Sequence, residues 1–208
     1  VTTSTTYPNG QVLQSSALTV AQINAIMQPL TCGMLGLPLP TANQPAGYAA
    51  VRIDWPTQGQ PFSPLPNQDV CFLSCLLEET PYNKVRNKSL SGAGPVTETW
   101  TYTRGWRISW TLYGPNSTDR ARQIWSATFM DYFNDVLNLA NLFPVSDPVE
   151  PIRAPELINA EWWERCDFSL SLYENVTETI EDGQAISVEI KVYDGSPADP
   201  VADFTVTT

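Results

Sequence analysis

The chain contains no histidine. That excludes a Ser–His or Cys–His nucleophile, a histidine-based zinc site, and the one side chain that ordinarily titrates near neutrality. No Gly-rich phosphate loop is present, and no stretch approaches the roughly 18 consecutive apolar residues of a membrane-spanning helix. Cysteine is scarce: Cys32, Cys71, Cys75 and Cys166. Only Cys71 and Cys75 are close in sequence, within the apolar run from Val70 to Leu77, and no second pair completes a metal set. They read as buried free thiols. Glu156, Glu161, Glu164 and Asp167 are close together, but no spacing singles out two of them as a glycosidase pair. No catalytic, cofactor-binding or metal-ligating residue is expected, and the chain reads as a non-enzyme.

Basic residues are also few, and they are unevenly placed. Residues 1–143 hold eight Lys and Arg against eight Asp and Glu; residues 144–208 hold three against fourteen. The last third therefore carries the whole formal charge of −11. Broad grip on a phosphate backbone is excluded. An acidic surface serves solubility, meets a basic partner, or lines a channel that nucleic acid crosses without sticking. The one local basic cluster is Lys84, Arg86 and Lys88, in an excursion over residues 80–96 that reads as a surface loop or as a contact for the acidic third of an adjacent copy.

What the chain has in quantity is pattern. Its 208 residues, 42% hydrophobic and 11% aromatic, suffice for one domain with a substantial core. The expected division is an arm at 1–18, a domain at 19–193 and an acidic tail at 194–208. Thr19 begins a short helix with Ile23, Ile26, Met27 and Leu30 on one face, expected to kink or stop near Gln28 because of Pro29. Val51–Trp55 is a short strand. Val70–Leu77 is apolar on both faces and reads as a central strand. Proline-rich loops occupy 36–48 and 56–68.

From Thr97 to Tyr113 the chain alternates. Trp100, Tyr102, Trp106, Ile108, Trp110 and Leu112 share one face, with Gly105 as a bulge or twist. After the turn Tyr113-Gly114-Pro115-Asn116, an apolar stripe through Ile124, Phe129, Tyr132, Phe133 and Leu137 predicts one helix over 117–142, a rod of about 39 Å. Asn116 or Ser117 caps it. Arg120 and Arg122 sit at its unfavourable positive end, which calls for a carboxylate or anion, with the segment Glu156–Asp167 as one source. The linker 144–155 is extended. A second alternating strand runs through Cys166, Phe168, Leu170, Leu172 and Val176, turns at Glu181–Gln184, and returns along Ile186–Val192 as a long C-terminal hairpin. Its tip, Glu178, Glu181 and Asp182, projects from the body. The class is α+β: a mixed or antiparallel sheet flanked by one long and one short helix, with extended arms.

Three stretches carry a family resemblance. Ser109-Trp110-Thr111-Leu112-Tyr113-Gly114-Pro115-Asn116-Ser117 followed by Asp119-Arg120-Ala121-Arg122, then Arg153-Ala154-Pro155-Glu156-Leu157, then Glu161-Trp162-Trp163-Glu164-Arg165-Cys166-Asp167, resemble the neck terminator or tail-terminator-like proteins of tailed bacteriophages and prophages. The likeness covers about residues 100–193. It implies a virion protein of the neck or tail, made in the bacterial host cytoplasm and without catalytic residues. It also implies assembly as a ring, commonly a hexamer, that caps the tail tube and joins the head connector. Genomic DNA would be non-specific cargo in the lumen, and no membrane would be involved. The candidate subunit interface is then Lys84, Arg86, Lys88, Arg120, Arg122, Arg153, Glu156, Trp162, Trp163, Glu164 and Arg165. Glu178, Glu181 and Asp182 are candidates for the lumen or hairpin tip. Rival readings are another head–tail adaptor, a tail tube subunit, or a carbohydrate-binding module using exposed tryptophans.

Overall fold

The computed structural model describes residues 2–8, 11–39, 50–53, 67–91, 96–145, 148–158, 160–182, 187–192 and 202–207, with side chains described as far as Ile180. The class is α+β, as the sequence predicts. Contacts divide the chain into two units, residues 17–85 with 102–176, and residues 1–16, 86–101 and 177–208.

The larger unit is a mixed sheet covered on one face by helices. Strand β3 (Val51–Ile53) runs parallel to β4 (Val70–Glu78). β4 pairs antiparallel with β6 (Val96–Tyr113), from Val70↔Tyr113 to Glu78↔Gly105. β6 neighbours β11 (Arg165–Asp182), whose other edge takes β8 (Ile152–Arg153) and then β7 (Leu142–Pro144). The expected central position of β4 is found, and Val70 to Leu73 and Cys75 are buried. Leu76 and Leu77, read from their apolar character as part of that buried run, are exposed. Gly105 permits a close approach rather than a bulge: a Cβ there would lie 2.7 Å from the Thr80 Cγ2 atom.

The period of two decides which residues become core. On β6, Trp106, Ile108, Trp110 and Leu112 are buried, and on β11, Cys166, Phe168, Leu170, Leu172 and Val176. Each fully buried large side chain contributes about 1.5–3 kcal/mol relative to exposure. Trp110 stacks on Phe168 (centroids 5.1 Å apart) and donates its indole N–H to Thr31 Oγ1 at 2.9 Å. A smaller cluster on the opposite face joins Val70, Phe72, Tyr113 and Trp163. All four cysteines are free and buried, as expected. Burial raises the Cys71 thiol far above its ordinary value, with the nearby Cys32 adding to the effect.

Helix α1 (Val20–Met34) opens on a capping box between Thr19 and Gln22, and it runs through Pro29 rather than ending near Gln28. Leu30, Thr31, Cys32 and Met34 beyond the proline are buried, and that packing holds the last turn helical despite the missing backbone donor.

The rod expected over 117–142 is two helices, α2 (Ser117–Ala127) and α3 (Asp131–Asn138). Thr128 turns its hydroxyl back onto the Trp125 carbonyl at 2.7 Å, and Met130 is extended. The break lets Ile124 and Phe133 both enter the core but leaves Phe129 and Tyr132, read as part of the buried stripe, exposed. Asn116 does not cap α2 with its side chain; it donates to Asp69 instead, at 2.8 Å.

In the smaller unit, the expected arm is a hairpin: β1 (Thr3–Thr6) pairs with β2 (Val12–Ser15), and β2 pairs with β11 at Glu178–Ile180. The basic excursion contains a strand, β5 (Arg86–Ser91), beside β6. The C-terminal hairpin has a different partner from the one expected. β12 (Ser187–Val192) pairs with β13 (Ala202–Thr207), so the tail supplies a strand. The loops expected at 36–48 and 56–68 and the turn expected at Glu181–Gln184 lie largely outside the described residues.

Candidate assembly surface

The three resemblance stretches converge in the larger unit. Strand β9 (Glu156–Ile158) and strand β10 (Glu161–Trp163) form a two-stranded ribbon with Trp162 directly opposite Leu157. Alternation sends the two neighbouring tryptophans to opposite faces. Trp163 is buried edge-on against Tyr113, at 6.4 Å between centroids, while Trp162 is 74% exposed. Gly114, with φ of 112°, brings the turn after β6 within reach, and its N–H donates to the Glu164 carbonyl at 3.1 Å.

Charge pairs fix this corner. Arg165 is bidentate on Asp167 (both contacts 2.9 Å) and reaches Glu156 at 2.9 Å. The Tyr113 hydroxyl donates to the same Glu156 oxygen at 2.7 Å. The Tyr113 bond, followed by Arg165, holds the Glu156 carboxyl below its ordinary value, while burial and then Glu156 push the Tyr113 phenol up. Arg153 grips Glu164 through two contacts, 2.8 and 2.5 Å, which lowers the Glu164 carboxyl in turn. Such pairs orient neighbouring strands more than they stabilise them, because exposed bridges are worth about 0–1 kcal/mol.

Most of the remaining expected interface cations also have partners within the chain. Lys84 pairs with Glu79 at 2.9 Å, Arg86 with Glu178 at 3.4 Å, and Lys88 with Glu98 while lying over the Trp100 ring. Arg120 meets no carboxylate of the segment Glu156–Asp167. It donates to the Leu35 carbonyl at 3.1 Å, and Gln123 donates to the Met34 carbonyl at 2.8 Å. The puzzle of a cation at the start of α2 is thus answered by the end of α1, whose terminal carbonyls lack helical donors. Arg122 is exposed on α2. Glu178 accepts from Ser15 and Arg86. The side chains of Glu181 and Asp182 lie outside the described residues.

Sequence reasoning missed Glu174. It falls on the apolar face of β11 between Leu172 and Val176, and it is 1% exposed. Its carboxylate accepts from the Leu18 N–H (2.6 Å), the Trp106 indole N–H (2.6 Å) and two nitrogens of Arg104 (2.9 and 2.7 Å). Arg104 also donates to the Leu18 carbonyl at 2.5 Å. The signal was legible: a carboxylate in register with five apolar residues must be paired if buried.

Comparison with known families decides what this architecture belongs to. Residues 21–196 match the family described as phage neck terminator protein. The chain belongs to that family. Its members are structural proteins of the phage neck, which makes this a structural protein of the phage tail and neck and places it in the virion. No curated protein matches the chain significantly. Among the described residues, no helix is long and apolar enough to cross a membrane, and no group of three or more Cys, Asp or Glu is placed to hold a metal ion.

Proposed function

We propose that this chain is a neck terminator subunit that closes into a ring, commonly a hexamer in proteins of this kind. The ring ends the tail tube, joins it to the head connector, and lets DNA pass through its lumen. The observation that carries this reading is the family match over residues 21–196. Two features support it. The acidic excess of the last third suits a lumen that repels the phosphate backbone. The corner around Tyr113, Arg165 and Trp163 is stiffened internally while it presents Trp162 outward, as an assembly surface requires.

Lys84, Arg86, Lys88, Arg120, Arg122, Arg153, Glu156, Trp162, Trp163, Glu164 and Arg165 remain interface candidates, with Glu178, Glu181 and Asp182 as candidates for the lumen or hairpin tip. Most of the cations would have to exchange an internal partner for one on the next copy. Reversing Lys84, Arg86 and Lys88 to Glu tests that exchange; unchanged assembly would remove it. The whole reading is tested by negative-stain microscopy of the purified protein, alone and mixed with tail tubes of the source particle. Closed rings, or density on one tube end, are expected. Long stacks would identify a tube subunit instead, and monomers that ignore the tubes would refute a role at the tube end.

A further inference from the structure

The sheet of the smaller unit has two open ends. Its strands pair in the order β1, β2, β11 and β6, and β5 pairs with β6. Strands β1 and β5 therefore end the sheet, and every residue of both is exposed. An outermost strand carries a row of backbone N–H and C=O groups that another strand pairs in full. On β1 that row has definite members. The Tyr7 N–H donates to the Gln11 carbonyl at 2.8 Å, which sets the alternation of the ladder with β2. Thr3 and Thr5 turn their backbone groups toward Ser15 and Leu13, so Ser4 and Thr6 turn theirs outward. Among the described residues no strand lies against that outer row.

Edge strands are ordinarily blocked by charge, proline or a bulge. β1 has none of these: Thr3-Ser4-Thr5-Thr6 is uncharged, and its register with β2 is unbroken. β5 carries Arg86 and Lys88, but both lean across the sheet, to Glu178 and to Glu98. We propose that β1 of one copy pairs with β5 of the next, edge to edge. This rests on the ring reading and names a contact that closes the ring. The chemistry of the edge calls for a strand, and the two-fold alternatives each fail to complete it. β1 paired with its own counterpart leaves both β5 edges of the dimer open. β5 paired with its counterpart leaves both β1 edges open, and it sets Arg86 and Lys88 of one copy across from those of the other. β1 against β5 brings no like charges together, because β1 has no charge. Repeated head to tail, this pairing leaves one open edge at each end of a row of copies, and closure of the ring leaves none.

The test uses full-length protein, native mass spectrometry and thermal unfolding. Proline deletes a backbone N–H, so neighbouring positions on β1 should behave oppositely. Ser4→Pro and Thr6→Pro remove outward donors and spare the ladder to β2. Each should keep the wild-type melting temperature and raise the protein concentration needed for rings about tenfold. Thr5→Pro removes an inward donor and should open the N-terminal hairpin, read as faster amide exchange at Leu13. A short bismaleimide should link Ser4→Cys to Ser89→Cys when the two variants are mixed, since the four native thiols are buried. Rings unchanged by both outward prolines overturn the strand contact and leave the ring reading standing, and so does Ser4→Cys that links only to itself. Wild-type protein that stays monomeric at every concentration overturns both.

Discussion

Replacing Glu174 with glutamine should be the most damaging single-atom change available in the larger unit. The carboxylate accepts four hydrogen bonds from three residues, and every donor is an N–H. Glutamine offers one oxygen and turns an NH₂ group toward either the Leu18 N–H or the pair formed by the Arg104 guanidinium and the Trp106 indole. Removing one partner of a buried ion pair costs about 3–5 kcal/mol. The Arg104 side chain is 18% exposed and can recruit water, so the low end, about 3 kcal/mol, applies. For a chain of this size each kcal/mol moves the midpoint by about 2–4 °C, so a fall of about 6–12 °C is expected by differential scanning calorimetry. Amide exchange at Leu18 should accelerate in the variant, because its N–H bond is to this carboxylate. Arg104→Met, paired with Glu174→Gln in a double-mutant cycle, should show coupling above about 1 kcal/mol. A midpoint within about 2 °C of wild type would refute the claim that this carboxylate holds the segment before α1 to the sheet.

Gly114→Ala places a Cβ 2.6 Å from Asp69 Oδ1 at a φ of 112°, so it should cost at least about 2 kcal/mol, read as a lower urea midpoint. A midpoint equal to wild type would show that the turn tolerates rearrangement. Acid should destabilise the chain in a defined window. Glu78, Glu98, Glu156 and Glu164 are held below their ordinary value of 4.5 by Arg107, Lys88, Tyr113 and Arg153 respectively, so their contribution is complete above pH 4.5 and is lost as pH falls through their folded-state values. With no histidine, the melting temperature should be flat between pH 7 and 5; a fall inside that range would count against this assignment. Added salt distinguishes two modes of assembly. Apolar contacts between copies of net charge −11 should tighten from about 50 to 300 mM salt as repulsion is screened, whereas pairing of the basic strand with an acidic neighbour should weaken. Sedimentation velocity across that range reads the sign directly.

The two long strands were legible because burial on one face writes a period of two into the sequence, and β6 and β11 keep it almost without interruption. The helix break was not legible. Ser126-Ala127-Thr128-Phe129-Met130 contains neither glycine nor proline, and the apolar period continues across it; only the competing demands of Ile124 and Phe133 on one sheet make the break necessary. At the ends, two signals were present and outweighed. Pro8-Asn9-Gly10 is turn chemistry between the two polar strands of the N-terminal hairpin. Ala202, Phe204 and Val206 alternate within a tail whose prolines suggested an arm. In the motif corner, the residue types were found but their roles were not. Sequence spacing shows that Arg153, Glu164, Glu156 and Arg165 are near one another, but not that they pair among themselves and leave Trp162 exposed.

Pro29 has a consequence beyond the continuity of α1. A proline has no N–H, so the carbonyl four residues earlier, on Ala25, lacks its usual helical donor. Helix α1 therefore continues with one backbone bond fewer, and the burial of Leu30, Thr31 and Cys32 beyond the proline offsets the loss. Pro29→Ala would restore that bond and strengthen α1.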